Sequence, residues 1–352
     1  MRDADVLVVG AGPVGLTAAL ALVRGGMRVD LVESRPALES ESLAATFHPP
    51  TLQILADLGL ELHGHGLEAR TIGYLDAVAG DEIRFELAEL AGETAFPYRR
   101  HVPQIDVCRL LLAELADDPR CRISFGVTAS GGVTGNYPWV FAADGANSGL
   151  RSAAGLAFPG TDYAGTVVRL ICEPRGFEGW DPVTYVVSGH QSVSVLRLPD
   201  HVRVIVRVDE GSTDPESVAV DAANLVLGMS PRLRGWSCYR SQRRVIETNV
   251  VDNLIFVGDS AHVTTTRGGM NMNAGIHDAA VIATALARDP AKVEEAAAAR
   301  LAVARDVLLP RTHETLGNPS ARLDRVRALR SDRAARVEFL RAAAMLDMVC
   351  WP

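Results

Sequence analysis

The residues near the N-terminus that could do chemistry are the glycines of a short turn. The segment Gly10-Ala11-Gly12-Pro13-Val14-Gly15 follows the apolar run Val6–Val9 and precedes a helical pattern. Its first glycine permits a tight turn, the second lets a pyrophosphate approach the backbone, and the third allows a helix to pack closely on a strand. The amides at the start of the helix then face the anion. The predicted ligand-binding residues of this turn are Gly10, Gly12, Pro13, Val14 and Gly15.

An acidic residue stands where the ribose of such a ligand would lie. Glu33 ends the next predicted strand, 18 residues after Gly15. A carboxylate there can accept hydrogen bonds from a ribose diol, and its charge would repel a 2′-phosphate. Arg35 is a second candidate for contact with the same end of the ligand. The alternative is a turn with a structural role only, but the register of strand, turn, helix, strand and acid favours ligand binding.

A second turn follows another apolar run, which ends at Ala143. It begins with Asp144-Gly145 and has Ser148 and Arg151 shortly after it. An Asp-Gly pair after a strand is usually only a turn. Asp144 becomes a cofactor-binding candidate because of the segment that follows later in the chain.

A third turn combines an acid with glycines. Gly258-Asp259-Ser260-Ala261-His262 follows an apolar strand, and the glycine-rich segment 267–273 then opens a helix. An acid at the carboxyl end of a strand can hydrogen-bond a sugar hydroxyl, and a helix start offers amides to an electron-rich ring carbonyl. These are the groups that a flavin requires. The cofactor-binding candidates here are Asp259, Gly268, Gly269, Asn271, Met272 and Asn273.

The elements that must position these turns are strands and helices in alternation. Strand, turn and helix patterns recur in three separated segments, and short antiparallel strands lie between them. The predicted fold class is therefore α/β, with a Rossmann-type cofactor domain, an inserted antiparallel β-sheet domain for substrate and C-terminal helices. A ligand is expected where the two domains meet. The predicted boundaries are 1–70, 101–155 and 245–300 for the cofactor domain, 71–100 and 156–244 for the inserted sheet, and 301–352 for the helical segment.

Composition and charge exclude several classes of protein. The chain has 352 residues, 48% hydrophobic and 22% charged, which is ordinary for a folded protein of about two domains. Its net charge of -8 argues against a nucleic-acid binder, which needs a basic surface. Five cysteines without CxxC spacing predict no disulfide framework and a reducing, cytoplasmic setting. No apolar run approaches the ~18 residues of a membrane span, so no membrane partner is expected. Since the charge also argues against nucleic acid, the expected partner is a small molecule, and the oligomeric state is left open.

Several segments of this chain occur in an order typical of one family. They are GAGPVG, Glu33, the FHPPTLQILADLGL stretch, Gln104 before a helix, the ADGANS turn, and GDSAH through NAGIHDA. In this order the chain resembles the class A flavin-dependent monooxygenases, the family of para-hydroxybenzoate hydroxylase and the aromatic polyketide hydroxylases.

The resemblance covers residues 5–287 and implies the para-hydroxybenzoate hydroxylase fold with FAD bound in extended form. Because the ADP-binding register is complete and no family-type attachment residue is evident, FAD is expected to bind without a covalent link. It implies that the first glycine turn and Glu33 contact the ADP half of FAD. It also implies that Gln104 and Asp259 lie along the ribityl chain and the pyrophosphate. The turn 268–273 would then contact the isoalloxazine ring. The family uses NADH or NADPH as reductant without a second Rossmann domain.

The chain departs from the family's usual pattern near the flavin ring. Leu43 stands where an arginine is usual, so a cation near the pyrophosphate or the nicotinamide is missing. Thr265-Thr266 replaces a proline pair, and Asn271 replaces a glycine, although asparagine tolerates a left-handed φ better than most residues. The segment 121–136 is shorter than usual. The adenosine end of the site is therefore expected to be intact and its reactive end altered.

Other polar residues are weaker candidates. Loop histidines such as His63 and His65 lack metal-ligand spacing, and no metal site is predicted. Arg203 and Arg207 share one face of a predicted strand, where a solvated face is favoured over an anchor for an anionic or phenolic substrate. The basic run 322–341 is predicted to be an exposed helix face with paired charges. No serine has a neighbouring His-Asp arrangement, so no catalytic side chain is assigned.

These observations lead to one main hypothesis and two alternatives. The main hypothesis is an FAD-dependent monooxygenase (hydroxylase) of secondary metabolism that uses NADH or NADPH and O₂ on a small aromatic or polyketide-like metabolite. The altered reactive end motivates the first alternative, a non-redox cyclase or isomerase that keeps the fold and FAD as a scaffold. The second alternative is a binding module without catalysis. The substrate, the site of oxygenation and the choice between NADH and NADPH are left open.

Overall fold

The computed structural model of the protein describes residues 4–39, 44–129 and 135–349. Within these residues the strands, in chain order, are β1 Val6–Val9, β2 Val29–Glu33, β3 Thr46–Phe47, β4 Leu67–Ala69, β5 Thr71–Asp76, β6 Asp81–Glu86, β7 Arg99–His101, β8 Cys121–Phe125, β9 Trp139–Ala142, β10 Gly160–Asp162, β11 Thr166–Cys172, β12 Val183–Ser188, β13 Gln191–Arg197, β14 Val202–Val208, β15 Leu233–Tyr239, β16 Gln242–Val245, β17 Val250–Val251, β18 Leu254–Phe256 and β19 His262–Val263. The α-helices are α1 Pro13–Arg24, α2 Pro49–Asp57, α3 Gln104–Ala116, α4 Gly149–Ala153, α5 Pro215–Leu227, α6 Asn271–Arg288, α7 Val293–Val303, α8 Leu309–Glu314, α9 Pro319–Ala328 and α10 Arg333–Ala343.

Strands from separated parts of the chain form a six-stranded sheet in the order β17-β18-β9-β1-β2-β8. β1 pairs in parallel with β2 and β9, so that Val6 faces Val29 on one side and Trp139 on the other. Every residue of β1 and β2 is buried, which is typical of parallel strands covered on both faces. Because parallel strands end at one edge of a sheet, the turns that follow β1, β9 and β18 are brought together there.

Helices α1, α3 and α6 cover one face of this sheet. Leu16 and Leu20 of α1 share a buried apolar cluster with Ile276 of α6. A Cβ atom on Gly25 would lie 2.4 Å from the Cβ of Ala287, so the missing side chain lets the end of α1 approach α6. The packing of α1 on α6 sets the distance between the first and the third predicted turns.

Segments 71–86 and 166–239 form a second sheet, in the order β15-β11-β14-β13-β12-β5-β6. The sheet is antiparallel, as the sequence predicts, except that β5 and β12 run parallel. One of its faces packs on α5, with Val204 against Ala223 in the shared apolar cluster. The sequence-based prediction lacks α5, although Asp214 caps it and Pro215 occupies its first turn. Apolar residues of α5 at 218 and 220 alternate as in a strand, which hides the helical repeat.

Smaller sheets and the C-terminal helices connect the two large sheets. β7, part of the segment 71–100 predicted for the inserted sheet, pairs instead with β3 and β4. β10, β16 and β19 form another small sheet, which ties the inserted segment to the stretch after β18. Helices α9 and α10 pack on β5 and β6, with Leu340 in one apolar cluster with Phe85. No helix in the described residues combines the length and the apolar composition needed to cross a bilayer.

Candidate active site

The first glycine turn is tight at two positions and open at a third. A Cβ atom on Gly10, where φ is +107°, would lie 2.3 Å from the carbonyl oxygen of Ala143. A Cβ atom on Gly15 would lie 1.9 Å from the carbonyl oxygen of Gly10. A Cβ atom on Gly12 would meet nothing within 4 Å. Gly12 precedes the N-terminus of α1, so the turn leaves open space where a helix start can receive a pyrophosphate, and these residues fit FAD.

Glu33 ends β2 with its carboxylate against this turn. One carboxylate oxygen accepts a 2.9 Å hydrogen bond from the backbone N–H of Ala11, and the other accepts one of 2.9 Å from the N–H of Arg35. The side chain is buried, at 9% exposure. The Arg35 guanidinium, 59% exposed, pairs at 3.0 Å with Glu39. Glu33 therefore lies beside the glycine turn, whereas the predicted cofactor contact of Arg35 stays a prediction.

Asp144, directly after β9, offers an acceptor that the protein does not use. One carboxylate oxygen accepts a 3.1 Å hydrogen bond from the N–H of Leu150, at the start of α4. The other oxygen is buried and has no hydrogen-bond partner in the described chain. A buried acceptor without a donor is costly, so a ligand hydroxyl or amide would be favoured there. Asp144 fits the cofactor-binding role predicted for it.

Arg151 links the second and third turns. Its guanidinium is buried, lies 3.9 Å from the ring centre of Phe158, and donates hydrogen bonds to the carbonyl oxygens of Ser260, at 3.0 Å, and Ala146, at 2.8 Å. The hydroxyl of Ser148 accepts from the N–H of Arg151 and caps α4. Arg151 therefore holds the turns after β9 and β18 in a fixed relation.

A chain of hydrogen-bonded polar groups runs from the buried Arg300, Asp278 and His262 to the partly exposed Asn271 and Asp259. The side-chain amide of Asn271 donates at 2.7 Å to the Asp259 carboxylate, and its oxygen lies 3.4 Å from Nδ1 of His262. Nε2 of His262 lies 2.7 Å from Asp278, whose other oxygen accepts from Arg300 at 2.9 Å. Burial would lower the pKa of His262, but the charge and hydrogen bond of Asp278, the charge of Asp259 and the hydrogen bond to Asn271 together raise it. Burial raises the pKa of Asp259. His262 is therefore held as a cation with an acceptor at each nitrogen.

Side chains from distant segments hold the Gly268-Gly269 turn. Both glycines have positive φ, +82° and +65°, and a Cβ atom on Gly269 would lie 3.1 Å from that of Thr46. The fully buried amide of Asn273 donates to the carbonyl oxygens of Gly269, at 2.6 Å, and Thr46, at 2.8 Å. Nε2 of His48 lies 2.9 Å from the carbonyl oxygen of Gly268. Hydrogen bonds from segments far away in the sequence therefore hold this turn.

Sequence reasoning missed a buried network next to this turn. Asn273 accepts hydrogen bonds from the hydroxyl of Thr51, at 2.7 Å, and from the N–H of His48, at 3.0 Å. The Thr51 hydroxyl also lies 2.8 Å from Nε2 of His277. Burial lowers the pKa of His277 to about 3 and that of His48 well below its ordinary value, so both rings are neutral. No local signal reveals these pairs, because their members lie more than 200 residues apart in the chain.

The remaining candidates have different surroundings. Gln104 starts α3, and its side-chain oxygen accepts from the N–H of Ala44 at 3.3 Å. Met272 packs partly buried against the main apolar cluster. Leu43, the site of the missing arginine, lies outside the described residues, as do residues 130–134 of the short segment before Asp144. The cofactor contacts of Gln104 and Met272 stay predictions.

Two of the departures from the family pattern have a structural account. Asn271 begins α6 with a negative φ, so it does not use the left-handed tolerance expected of it and acts through its side chain instead. The hydroxyl of Thr266 lies 2.8 Å from that of Tyr239 on β15. Nη2 of Arg267 donates at 3.1 Å to the hydroxyl of Ser192 on β13. The stretch before α6 therefore contacts the inserted sheet directly.

The predicted solvated face of β14 is wrong for one arginine. Arg203 is buried, at 4% exposure, because the inserted sheet turns this face toward the protein, whereas Arg207 on the same face is exposed. Two cavities of the described chain have linings that do not include the stretch 263–272. One of about 130 Å³ lies beside Tyr98, and a surface groove of about 570 Å³ lies between α1, α2 and α6. The expectation that a ligand binds where the two domains meet stays a prediction.

Close contacts join the start of α1 to the turn after β18 and to the start of α6. A Cβ atom on Gly258 would lie 2.9 Å from the side chain of Val14, and one on Gly275 would lie 2.8 Å from that side chain. The start of α1, the turn after β18 and the first turns of α6 therefore pack against one another. Together they form one surface at the carboxyl edge of the parallel sheet, as an extended dinucleotide requires.

Comparisons with known proteins agree with this surface. The FAD binding domain family matches residues 3–137 and 132–308. The 6-hydroxy-3-succinoylpyridine 3-monooxygenase HspB of Pseudomonas putida (strain DSM 28022 / S16) is 25% identical over 311 residues, which are 80% of this chain and 78% of that protein. The 6-methylpretetramide 4-monooxygenase of Streptomyces rimosus is 30% identical over 313 residues, 80% of this chain and 55% of that protein.

The fold is shared with solved structures. The p-nitrophenol 4-monooxygenase PnpA from Pseudomonas putida DLL-E4 superposes with a TM-score of 0.84 at 23% sequence identity, and the match covers 96% of both chains. At this level of identity the likeness concerns the fold, which includes the parallel sheet, the inserted sheet and the C-terminal helices.

Proposed function

This chain belongs to the FAD binding domain family and is a flavin-dependent monooxygenase, and we propose that NADH or NADPH and O₂ are its co-substrates. The substrate in this proposal is a small aromatic or polyketide-like metabolite. The observation that carries the proposal is the joint surface of the three turns, which the inserted sheet meets at Thr266 and Arg267. A cytoplasmic location would suit the buried free thiols of Cys108 and Cys172.

The chain's own residues divide the task of holding FAD. The open backbone at Gly12 and the start of α1 would receive the pyrophosphate, and Glu33 the adenosine ribose. Asp259 and the unused oxygen of Asp144 would accept hydrogen bonds from sugar or ribityl hydroxyls. The Gly268-Gly269 turn would contact the ring. When bound, FAD supplies hydride acceptance and the activation of O₂.

The protein's contribution to the chemistry is orientation and the exclusion of water. His48 and His277 are neutral and fully enclosed, and His262 keeps its proton because Asp278 faces it. None of these groups is placed as a nucleophile, and the described serines lack a His-Asp partner arrangement. The inserted sheet would hold the substrate against the ring side of the turn, in a site shielded from solvent.

Anaerobic mixing with NADH or NADPH tests this function. The flavin absorbance of the FAD-loaded protein should bleach, then return with O₂ uptake when air is admitted, and candidate aromatic substrates should accelerate the bleaching. A protein that keeps FAD but is reduced by neither nucleotide, with or without such substrates, would instead support the non-redox cyclase or isomerase. A protein that binds no FAD at all would contradict both.

A further inference from the structure

Two arginines from different segments converge on one carbonyl oxygen. Arg267 precedes the Gly268-Gly269 turn and donates from Nη1 to the carbonyl oxygen of Thr315 at 2.8 Å. Arg322 lies on α9 and donates to the same oxygen at 2.5 Å. Neither guanidinium forms an ion pair with a carboxylate of the described chain. The prediction of paired charges along the basic run 322–341 is confirmed for arginines such as Arg327 and Arg336, which form ion pairs, but it is wrong for Arg322.

Burial and the repulsion between these two positive charges both disfavour the charged form of the guanidinium groups. Burial and then the charge of Arg322 lower the pKa of Arg267 to about 10. Burial also lowers the pKa of Arg322. Nη2 of Arg322 is buried and has no hydrogen-bond partner among the residues described. Arg267 and Arg322 are each only partly exposed, and an anion that joins two such neighbouring cations at the spare donor would stabilise them.

A third arginine and two phenols complete the group. Arg99 is buried, donates to the carbonyl oxygen of Ala343 at 2.7 Å, and has an Nε without a partner in the described chain; together with Arg267 and Arg322 it lies within electrostatic reach of Tyr74. The rings of Tyr74 and Tyr185 are stacked at 5.2 Å and lie within electrostatic reach of Arg267 and Arg322. Burial raises the pKa of Tyr74, so its phenol is neutral. We call Arg99, Arg267 and Arg322 the arginine cluster.

From this geometry we propose that the arginine cluster binds an anionic group, a carboxylate or an ionised enol, of an aromatic substrate. The inference rests on the proposed function and narrows its substrate to an acidic aromatic compound. Guanidinium forks match carboxylate oxygens, and the stacked tyrosines offer an aromatic surface beside them. A nucleotide phosphate shares the anionic chemistry, but the aromatic pair favours a ring-bearing acid over a sugar phosphate.

Isothermal titration of the FAD-loaded protein with a matched pair of probes tests the proposal. The probes are 3-hydroxy-2-naphthoate and the neutral 3-hydroxy-2-naphthamide. We expect the acid to bind at least roughly tenfold tighter, as one or two charge-assisted hydrogen bonds would give. Arg322→Gln should weaken binding of the acid by roughly 10- to 100-fold and leave the amide unchanged. Equal binding of the two probes, or no binding of the acid, would overturn the proposal.

Control variants separate the cluster from general charge and folding effects. Arg325→Gln removes an exposed arginine from the same helix and should not change binding of the acid. Arg267→Gln provides a second test if Arg322→Gln fails to fold, as judged by circular dichroism. Arg322→Lys keeps the charge and should recover part of the affinity. Unchanged binding of the acid to every folded cluster variant would refute the assignment.

A measurement with NADPH distinguishes the two possible anions, the acidic group of the substrate and the phosphate of the nucleotide. The half-saturating NADPH concentration for anaerobic flavin reduction should be the same in Arg322→Gln and the native protein. A shift in that value without a change in binding of the acid would assign the cluster to the nucleotide and overturn the proposal. Failure of the native protein to be reduced would refute the monooxygenase function, while the comparison of acid and amide would still decide the anion site.

Discussion

The side-chain amide of Asn271 donates a 2.7 Å hydrogen bond to the carboxylate of Asp259. The other end of the same amide faces the cationic ring of His262, which in turn pairs with Asp278. Asn271 therefore has a fixed orientation, with its donor toward the carboxylate and its acceptor toward the imidazolium. Where the resembling family has glycine, this chain uses an asparagine to connect a buried ion pair to its cofactor-facing acid.

Replacing Asn271 should weaken this end of the site. Asn271→Gly removes a hydrogen bond from an enclosed carboxylate, which costs about 1 to 3 kcal/mol of unfolding free energy in the FAD-loaded protein. Asn271→Asp has the same size but places a second negative charge beside Asp259, so its loss should be larger. Urea unfolding of the two variants and the native protein measures the order. Equal stability of all three would show that the contact has no energetic role.

Removing the charge of Glu33 should reduce FAD affinity. Glu33→Gln keeps the shape of the side chain but loses charge-assisted hydrogen bonds worth about 1.5 to 3 kcal/mol, so the Kd for FAD should rise by one to two orders of magnitude. Titration of the FAD-free protein with FAD measures it. Glu39→Gln, on the exposed partner of Arg35, is the matched control and should leave the Kd unchanged. Equal Kd values for the two variants would assign Glu33 a role in the fold alone.

A methyl group on Gly12 should affect FAD binding without affecting the fold. Its Cβ would project into open space, so Gly12→Ala should unfold at the same urea concentration as the native protein when both are free of FAD. The methyl group would occupy the surface that receives the pyrophosphate, so FAD affinity should fall by about tenfold or more. Gly92→Ala also places its Cβ in open space and is the control. Unchanged affinity in Gly12→Ala would place the pyrophosphate elsewhere.

The pair of His262 and Asp278 should make stability depend on pH. The pKa of His262 is raised above 6.5 in the folded protein, so its stabilising charge is complete below 6.5 and is lost as the pH rises through the raised value. The pKa of Asp278 is lowered below 3.8, so that carboxylate stays ionised throughout this range. Urea unfolding from about pH 6 to about pH 9 should show native stability falling toward that of His262→Gln.

The comparison of native protein with His262→Gln isolates this titration. His48 and His277 are buried with lowered pKa values in both proteins, so their contributions cancel in the difference. A difference in unfolding free energy that stays constant across the range would mean that His262 does not titrate there. The FAD-loaded protein should be used, because Asp259 and Asn271 then have their cofactor in place.

The amino-acid sequence by itself determined the local units of this protein. The strand Val6–Val9, the glycine turn, helix Pro13–Arg24 and the acid at Glu33 lie within about thirty consecutive residues, and each is indicated by periodicity, glycine or proline. The strand Trp139–Ala142 was bounded in the same way. Such signals are strong because the interactions that cause them act between residues only a few positions apart in the sequence. The order of these units was enough to indicate the fold class, and it predicts the flavin site.

Only the tertiary structure decided which distant side chains meet. Thr51 contacts Asn273 and His277, and Arg267 lies beside Arg322 at one carbonyl oxygen. No spacing or repeat in the sequence predicts these contacts. Burial likewise separates Arg203 from Arg207, although both occupy one face of one strand. Partners, burial and protonation depend on how whole sheets and helices pack. They are therefore set by contacts between segments and not by the local sequence of any of them.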